Sequence, residues 1–329
     1  DASNGTAQQY EDKLSVIAND ASLVGSAITR FVGSIDNLEE IIAASEKLQA
    51  VAFVLREMKQ SAIHTIPAEI EPWMLQMRLS GGSAFSQLRD KLDSTHTVEY
   101  RGQTLPLPTV RGMAYDGDAS VRKDAYEAEI GCYAAIRDAV AFALNSIKLE
   151  TISDCQLRGY ASPLERTLKH SDMQRATLDA MLSAMEEYSP KFWQYLKAKA
   201  KALGHKNGLP WYDLFAPMGS SSTKFTAESA REYLVGLFAE FDSELADMVA
   251  RAFDEEWIDF YPRDGKAGGA FCADVNCLKQ SRILTNFDGM FGDVVTLAHE
   301  LGHAFHNQCI FHHRILNHGY SMPLAETAS

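Results

Sequence analysis

Asp293-Val-Val-Thr-Leu-Ala-His299-Glu300-Leu301-Gly302-His303-Ala304-Phe305-His306 is the stretch that decides how this chain is read. Val294, Val295, Leu297 and Ala298 are apolar, which predicts a buried helix. On a helix, residues four apart stand one turn above each other. His299 and His303 can therefore each aim a nitrogen at one ion, while Glu300 occupies the adjacent stripe. This is the H-E-x-x-H arrangement of zinc hydrolases, with His299 and His303 as metal ligands and Glu300 as the catalytic base. Burying two imidazoles and a carboxylate without a metal or partners would cost several kcal/mol. Gly302 sits mid-helix, where glycine costs about 1 kcal/mol against alanine, so close packing against its backbone is expected. The chain holds ten histidines, a density that predicts about one beyond position 298, yet six lie there, at 299, 303, 306, 312, 313 and 318.

A catalytic zinc takes a third protein ligand and keeps one position open for water. The H-E-x-x-H-x-x-G-x-x-H solution needs glycine at 306 and histidine at 309; His306 and Cys309 stand there, so it is rejected. The other solution is a glutamate on a following helix. Glu326 leads, since no Asp or Glu intervenes after Glu300, and it competes only with more distant carboxylates. Pro323 suits the start of its helix. His306 is expected to orient a ligand or a loop, or to contact substrate. Asp293 and Asp288 are candidate partners for a ligand imidazole, with a helix-capping role equally open for Asp293. His312, His313, His318 and Tyr320 fall in the loop between the ligand segments, as surface residues or substrate contacts. Gly268-Gly269-Ala270-Phe271 reads either as a packing turn or as an edge strand where a peptide backbone can come close. Cys272, Cys277 and Cys309 are expected to be buried thiols rather than soft ligands.

Outward from this segment, 46% hydrophobic and 23% charged residues in 329 predict a substantial core and about two domains. The net charge of −13 disfavours nucleic acid and anionic lipid as partners. No apolar run approaches the roughly 18 to 20 residues that cross a bilayer, and the polar first twenty residues do not resemble a signal peptide. Five cysteines without CxxC spacing suit a reducing cytoplasm. Helical periodicity covers the first 95 residues, including Ile41, Ile42, Leu48, Val51, Leu55 and Met58 after an Asp36-Asn37 cap signal, and predicts long antiparallel helices. Thr97 to Leu107 reads as a hairpin or loop, and the domain boundary is placed after it, giving an N-terminal helical domain over 1–108 and a catalytic part over 109–329. One periodic helical stretch runs from about Ser120 to Gln156. Ser171-x-x-Gln174 is a capping box opening a helix toward Tyr188, and Pro190 separates it from another ending near Gly204. Gly208 to Ser222 is a loop, packed through Trp211, Tyr212, Leu214 and Phe215. Ser281 to Phe287 alternates as a strand, predicting a small β element beside the motif helix.

Gly265-Lys-Ala-Gly-Gly-Ala-Phe-Cys272, Asn286-Phe-Asp-Gly289, Asp293 to His306 and Met322-Pro-Leu-Ala-Glu-Thr-Ala-Ser329, with Arg158-Gly-Tyr-Ala-Ser-Pro-Leu-Glu165 upstream, resemble the M3 metallopeptidases, specifically oligoendopeptidase F and its relatives. The likeness spans the chain from about residue 110. It implies a mainly α, two-lobed zinc peptidase whose long channel admits oligopeptides and excludes folded proteins. By that resemblance His299 and His303 match the histidine ligands, Glu300 the catalytic glutamate and Glu326 the glutamate ligand. The family continues past that glutamate through further helices that bring tyrosine and histidine side chains to the substrate. The chain is therefore expected to be the first part of a catalytic domain whose partner is the remaining C-terminal part.

Three functions are compatible with this pattern. An endopeptidase on short peptides leads. A peptidyl dipeptidase or carboxypeptidase would need a cation for the substrate's terminal carboxylate, with Arg282 and Arg314 the nearest candidates. A non-catalytic assembly module is the third.

Overall fold

The computed structural model describes residues 4–219, 224–263 and 265–329. Among these the chain is mainly helical, with strands confined to one hairpin and one three-stranded sheet. Helix Gly5–Gly33 opens the fold, its first N–H groups capped by the Asn4 side chain. Where long helices were expected after Asp36 there are three short ones, Leu38–Ala43, Glu46–Gln49 and Ala52–Ser61. Ser45 is the reason for the first break: its backbone is extended, and its carbonyl accepts from the N–H groups of Leu48 and Gln49 to start a new turn. Val32, Leu38 and Ile42 form the buried centre of this region.

The hairpin stands where the sequence placed it. Strands β1, Thr97–Tyr100, and β2, Gln103–Pro106, pair antiparallel through Arg101 and Gly102, both at positive φ, the geometry of a two-residue turn matched to strand twist. Val98, Tyr100 and Leu107 pack with Val110 and Ala125, so the hairpin shares one core with the segment after it. The helical stretch from Ser120 is two helices, Ala119–Tyr133 and Arg137–Leu157, meeting at 66°. Ser171 does not cap the helix toward Tyr188; it closes helix Pro163–His170, whose own start is capped by Ser162 and Glu165. Helix Arg175–Ala202 then runs unbroken through Pro190. A proline removes only one intrahelical N–H bond, and a helix this long tolerates that loss. Its outward face leaves Met181, Met185, Tyr188, Phe192 and Trp193 exposed.

The loop after it is tied down by charge more than by its aromatics. Trp211 and Phe215 are exposed, whereas Asp213 is buried and accepts two N–H bonds from the equally buried Arg122, with His205 on its second oxygen. Ser220 to Ser222, the end of the expected loop, lie outside the described residues.

Helices Ala227–Ala239 and Ser243–Asp254 pair and carry the largest core. Strands β3, Ile258–Asp259, β4, Phe271–Val275, and β5, Gln280–Leu284, form a sheet ordered β3-β5-β4, with β3 parallel and β4 antiparallel to β5. Against this sheet and the helix pair lies the motif helix, Phe291–Ile310. Its buried stripe is Val294, Leu297, Leu301 and Ala304, at most 1% exposed, packed with Leu234, Val249, Trp257, Ile283 and Phe287. Val295, expected inside, is 54% exposed because it falls on the opposite face. No single helix among the described residues is long and apolar enough to cross a membrane.

Candidate metal centre

The motif helix begins where its sequence requires. Gly289 takes φ +82°, and a Cβ there would meet the Phe225 carbonyl oxygen at 2.5 Å, so glycine is needed to turn the chain. Asp293 then accepts the N–H groups of Asp288 and Met290, both at 2.9 Å. This is the capping role, not that of an imidazole partner. Asp288 is an exposed residue facing Lys224.

With the helix set this way, His299 and His303 project from successive turns, their rings edge to face at 4.7 Å. Helix Met322–Thr327 returns along the same face and brings Glu326 to them, its Oε2 3.4 Å from His299 Nε2. One ligand atom from each of His299, His303 and Glu326 lies within 4.8 Å of the others. Two ligands held at about 2.0–2.1 Å from one tetrahedral zinc stand roughly 3.3 Å apart, so two imidazoles and a carboxylate at these separations fit such an ion. Glu300, 6% exposed, lies beside them. Burial pushes its carboxyl above the usual carboxylate range, with His299 opposing and Glu326 adding to the shift. Burial likewise pushes His303 below the usual histidine range, with help from His299 and against the pull of Glu326, which favours the neutral imidazole that a metal needs.

Sequence reasoning missed Ser329. Its Oγ is 3.1 Å from His299 Nδ1. A hydroxyl on that nitrogen fixes the ring and leaves Nε2 toward Glu326, the way a ligand histidine is oriented through its other nitrogen. The signal was Gly302: a Cβ there would meet the Ser329 Cα at 2.8 Å, which is the close approach that a mid-helix glycine implied.

His306 is not among the grouped donors. Its ring meets that of Tyr320 at a 50° tilt with centroids 4.6 Å apart, its Nδ1 is buried with no partner among the described residues, and burial lowers its pKa. Gly269 and Ala270 lead into β4, whose first residue is Phe271, 49% exposed. Asn286 holds this turn by donating to the carbonyls of Ala267 and Gly269, both at 2.9 Å. Since β4 pairs only with β5 among the described residues, its other edge offers backbone groups. Arg282 bonds back to Ser281 and Gln280 on its own strand. Cys277 and Cys309 are exposed, contrary to the expectation of burial: Cys277 lies in the turn between β4 and β5, and Cys309 near the end of the motif helix. Cys272 is half-buried, and burial pushes its thiol up to about 12, so it stays protonated.

Comparison with known proteins gives the family of the chain and its fold. The model of peptidase family M3 matches residues 112–329. The oligopeptidase PepF of Bacillus subtilis (strain 168) is 22% identical over 339 residues, covering 100% of this chain and 50% of the relative. An oligoendopeptidase F homolog of Mycoplasma pneumoniae is 28% identical over 242 residues, covering 70% of this chain and 39% of the relative. The crystal structure of Pz peptidase A with an inhibitor superposes with a TM-score of 0.78 at 19% identity, covering 94% of this chain and 54% of that one, and so shares the fold. The chain thus spans half or less of the length of these curated relatives. A match running from residue 112 through the whole H-E-x-x-H helix to Glu326 and beyond places this chain in peptidase family M3.

Proposed function

We propose that this chain carries the metal-binding part of a zinc-dependent endopeptidase that hydrolyses peptide bonds in short oligopeptides. The observation that carries the reading is the meeting of His299, His303 and Glu326 beside a buried Glu300. Zinc, when bound, supplies a Lewis acid and brings the pKa of water to about 7. Glu300 takes the proton of the attacking water and returns it to the leaving amide nitrogen. Its raised pKa makes it a stronger base toward that water. The free edge of β4, entered through Gly269, Ala270 and Phe271, supports binding of an extended peptide by strand addition. The exposed apolar face of helix Arg175–Ala202 and the greater length of the relatives support a further stretch of the same fold as partner. The exposed thiols of Cys277 and Cys309 suit a reducing cytoplasm.

The test combines metal analysis with hydrolysis of peptides blocked at both ends. Wild type should hold one zinc per chain, and Glu326→Ala should bind it more weakly. Glu300→Gln should keep the metal while hydrolysis by the whole protein falls by about 10²–10⁴-fold. Unchanged zinc affinity in Glu326→Ala, or retained activity in Glu300→Gln, would overturn the assignment.

A further inference from the structure

Asn307 continues the stripe of His299 and His303, one turn further along the motif helix, and is 4% exposed. Its side-chain amide is a junction. Nδ2 donates to Ser281 Oγ on β5 at 3.1 Å, and Oδ1 accepts from the Tyr320 hydroxyl at 3.2 Å. Cys272 Sγ on β4 lies 3.9 Å from the same Nδ2. Tyr320 is held at both ends, its hydroxyl by Asn307 and its ring by His306. Two residues later the chain enters helix Met322–Thr327, which presents Glu326 to His299. The short helix itself buries only Ala325. Its placement therefore depends on the segments that flank it, Ser329 against Gly302 and His299 on one side and Tyr320 on the other.

We infer that Tyr320 is a positioning residue for Glu326, acting through its hydroxyl bond to Asn307. The inference rests on the zinc reading above and deepens it. A buried amide is a suitable anchor because it has few ways to reorient: Ser281, fully buried on a strand in the core sheet, holds the Nδ2 end while Oδ1 meets the Tyr320 hydroxyl. Through this amide the motif helix, the sheet and the glutamate-bearing segment share one reference point.

The experiment measures zinc affinity by competition with a chelator, together with thermal unfolding of the metal-free protein. Tyr320→Phe keeps the ring and removes the hydroxyl; as Tyr320 is 43% exposed, the variant should fold with its metal-free transition unchanged. Zinc affinity should fall by about tenfold, the range seen when a group orienting a metal ligand is removed. Asn307→Leu should produce a similar fall. The double variant should be no weaker than either single one, because both break the same bond. In a Glu326→Ala background Tyr320→Phe should have no further effect, an outcome that a general structural role would not give. Affinity within about twofold of wild type in Tyr320→Phe, or a loss additive with Glu326→Ala, overturns the inference while leaving the zinc site standing. A wild-type chain that binds no zinc overturns both.

Discussion

Ser329 rests against Gly302, where the motif helix has no side chain: a Cβ on Gly302 would lie 2.8 Å from the Ser329 Cα and 3.1 Å from its carbonyl carbon. Both are backbone atoms, so neither can swing aside as a side-chain tip would. The segment three residues past Glu326 is thereby set flush on the helix that carries both imidazoles.

Gly302→Ala should accordingly split two effects that usually run together. Alanine adds about 1 kcal/mol of helix propensity. The same methyl displaces Ser329, breaks its contact with His299 Nδ1 and moves Glu326, so zinc affinity should fall by about tenfold. A chelator titration reads the second effect, and undiminished affinity would mean that the two segments do not meet.

The buried Glu300 makes the metal-free protein sensitive to pH with a definite sign. Its carboxyl titrates higher in the folded state than its reference of 4.5. A raised folded pKa favours folding most below the unfolded pKa, and that contribution is lost as pH rises through the folded value. Glu300→Gln should therefore stabilise the chelated protein at pH 7, and the gain should shrink as pH is lowered toward 4.5. Urea unfolding of both proteins across that window is the measurement, and a gain that grows on acidification would contradict it.

Asp213 has the opposite sign. Burial tends to raise its pKa, but the hydrogen bonds from His205 and Arg122 outweigh burial and hold it below its reference of 3.8. Its contribution is present above that reference and disappears as pH falls through the folded value. Because both partners are 3% exposed, Asp213→Asn leaves a buried guanidinium without its counter-charge and should cost about 3–5 kcal/mol at pH 7. Denaturant midpoints would show it, and the difference from wild type should narrow in acid.

Helix Phe291–Ile310 offers a further check on packing alone. Leu297→Ala removes a fully buried side chain from the centre of the largest core and should cost about 2–5 kcal/mol, with metal affinity affected far less than in Glu326→Ala.

How much of the molecule is legible in its residues depends on the range of each interaction. The relation of His299, Glu300 and His303 is fixed by four residues of helix, so spacing sufficed. The hairpin at Arg101 and Gly102 was likewise local. Glu326 was selected by the lack of nearer carboxylates, and the chain does bring it back to His299. Errors arose where a local signal had a competing use. Ser171 ends one helix rather than starting the next, and Pro190 is absorbed by a 28-residue helix. The stripe containing Val295 could not be assigned a face until the helix pair beneath it was known. The junction of Asn307 with Ser281 and Tyr320 joins residues 26 and 13 positions apart, and nothing in the order of residues announces it.

The edge of β4 that pairs with no other strand among the described residues carries a cost. A strand with vacant backbone groups will accept a neighbouring molecule's strand as readily as a short peptide, which is how soluble proteins begin to coalesce. Asp274, exposed and one residue from the end of that strand, gives the edge a negative charge. Two such edges laid against each other would bring like charges together without solvent to separate them, whereas a neutral or basic visitor meets no such barrier. That aspartate thus discourages the protein from stacking upon itself.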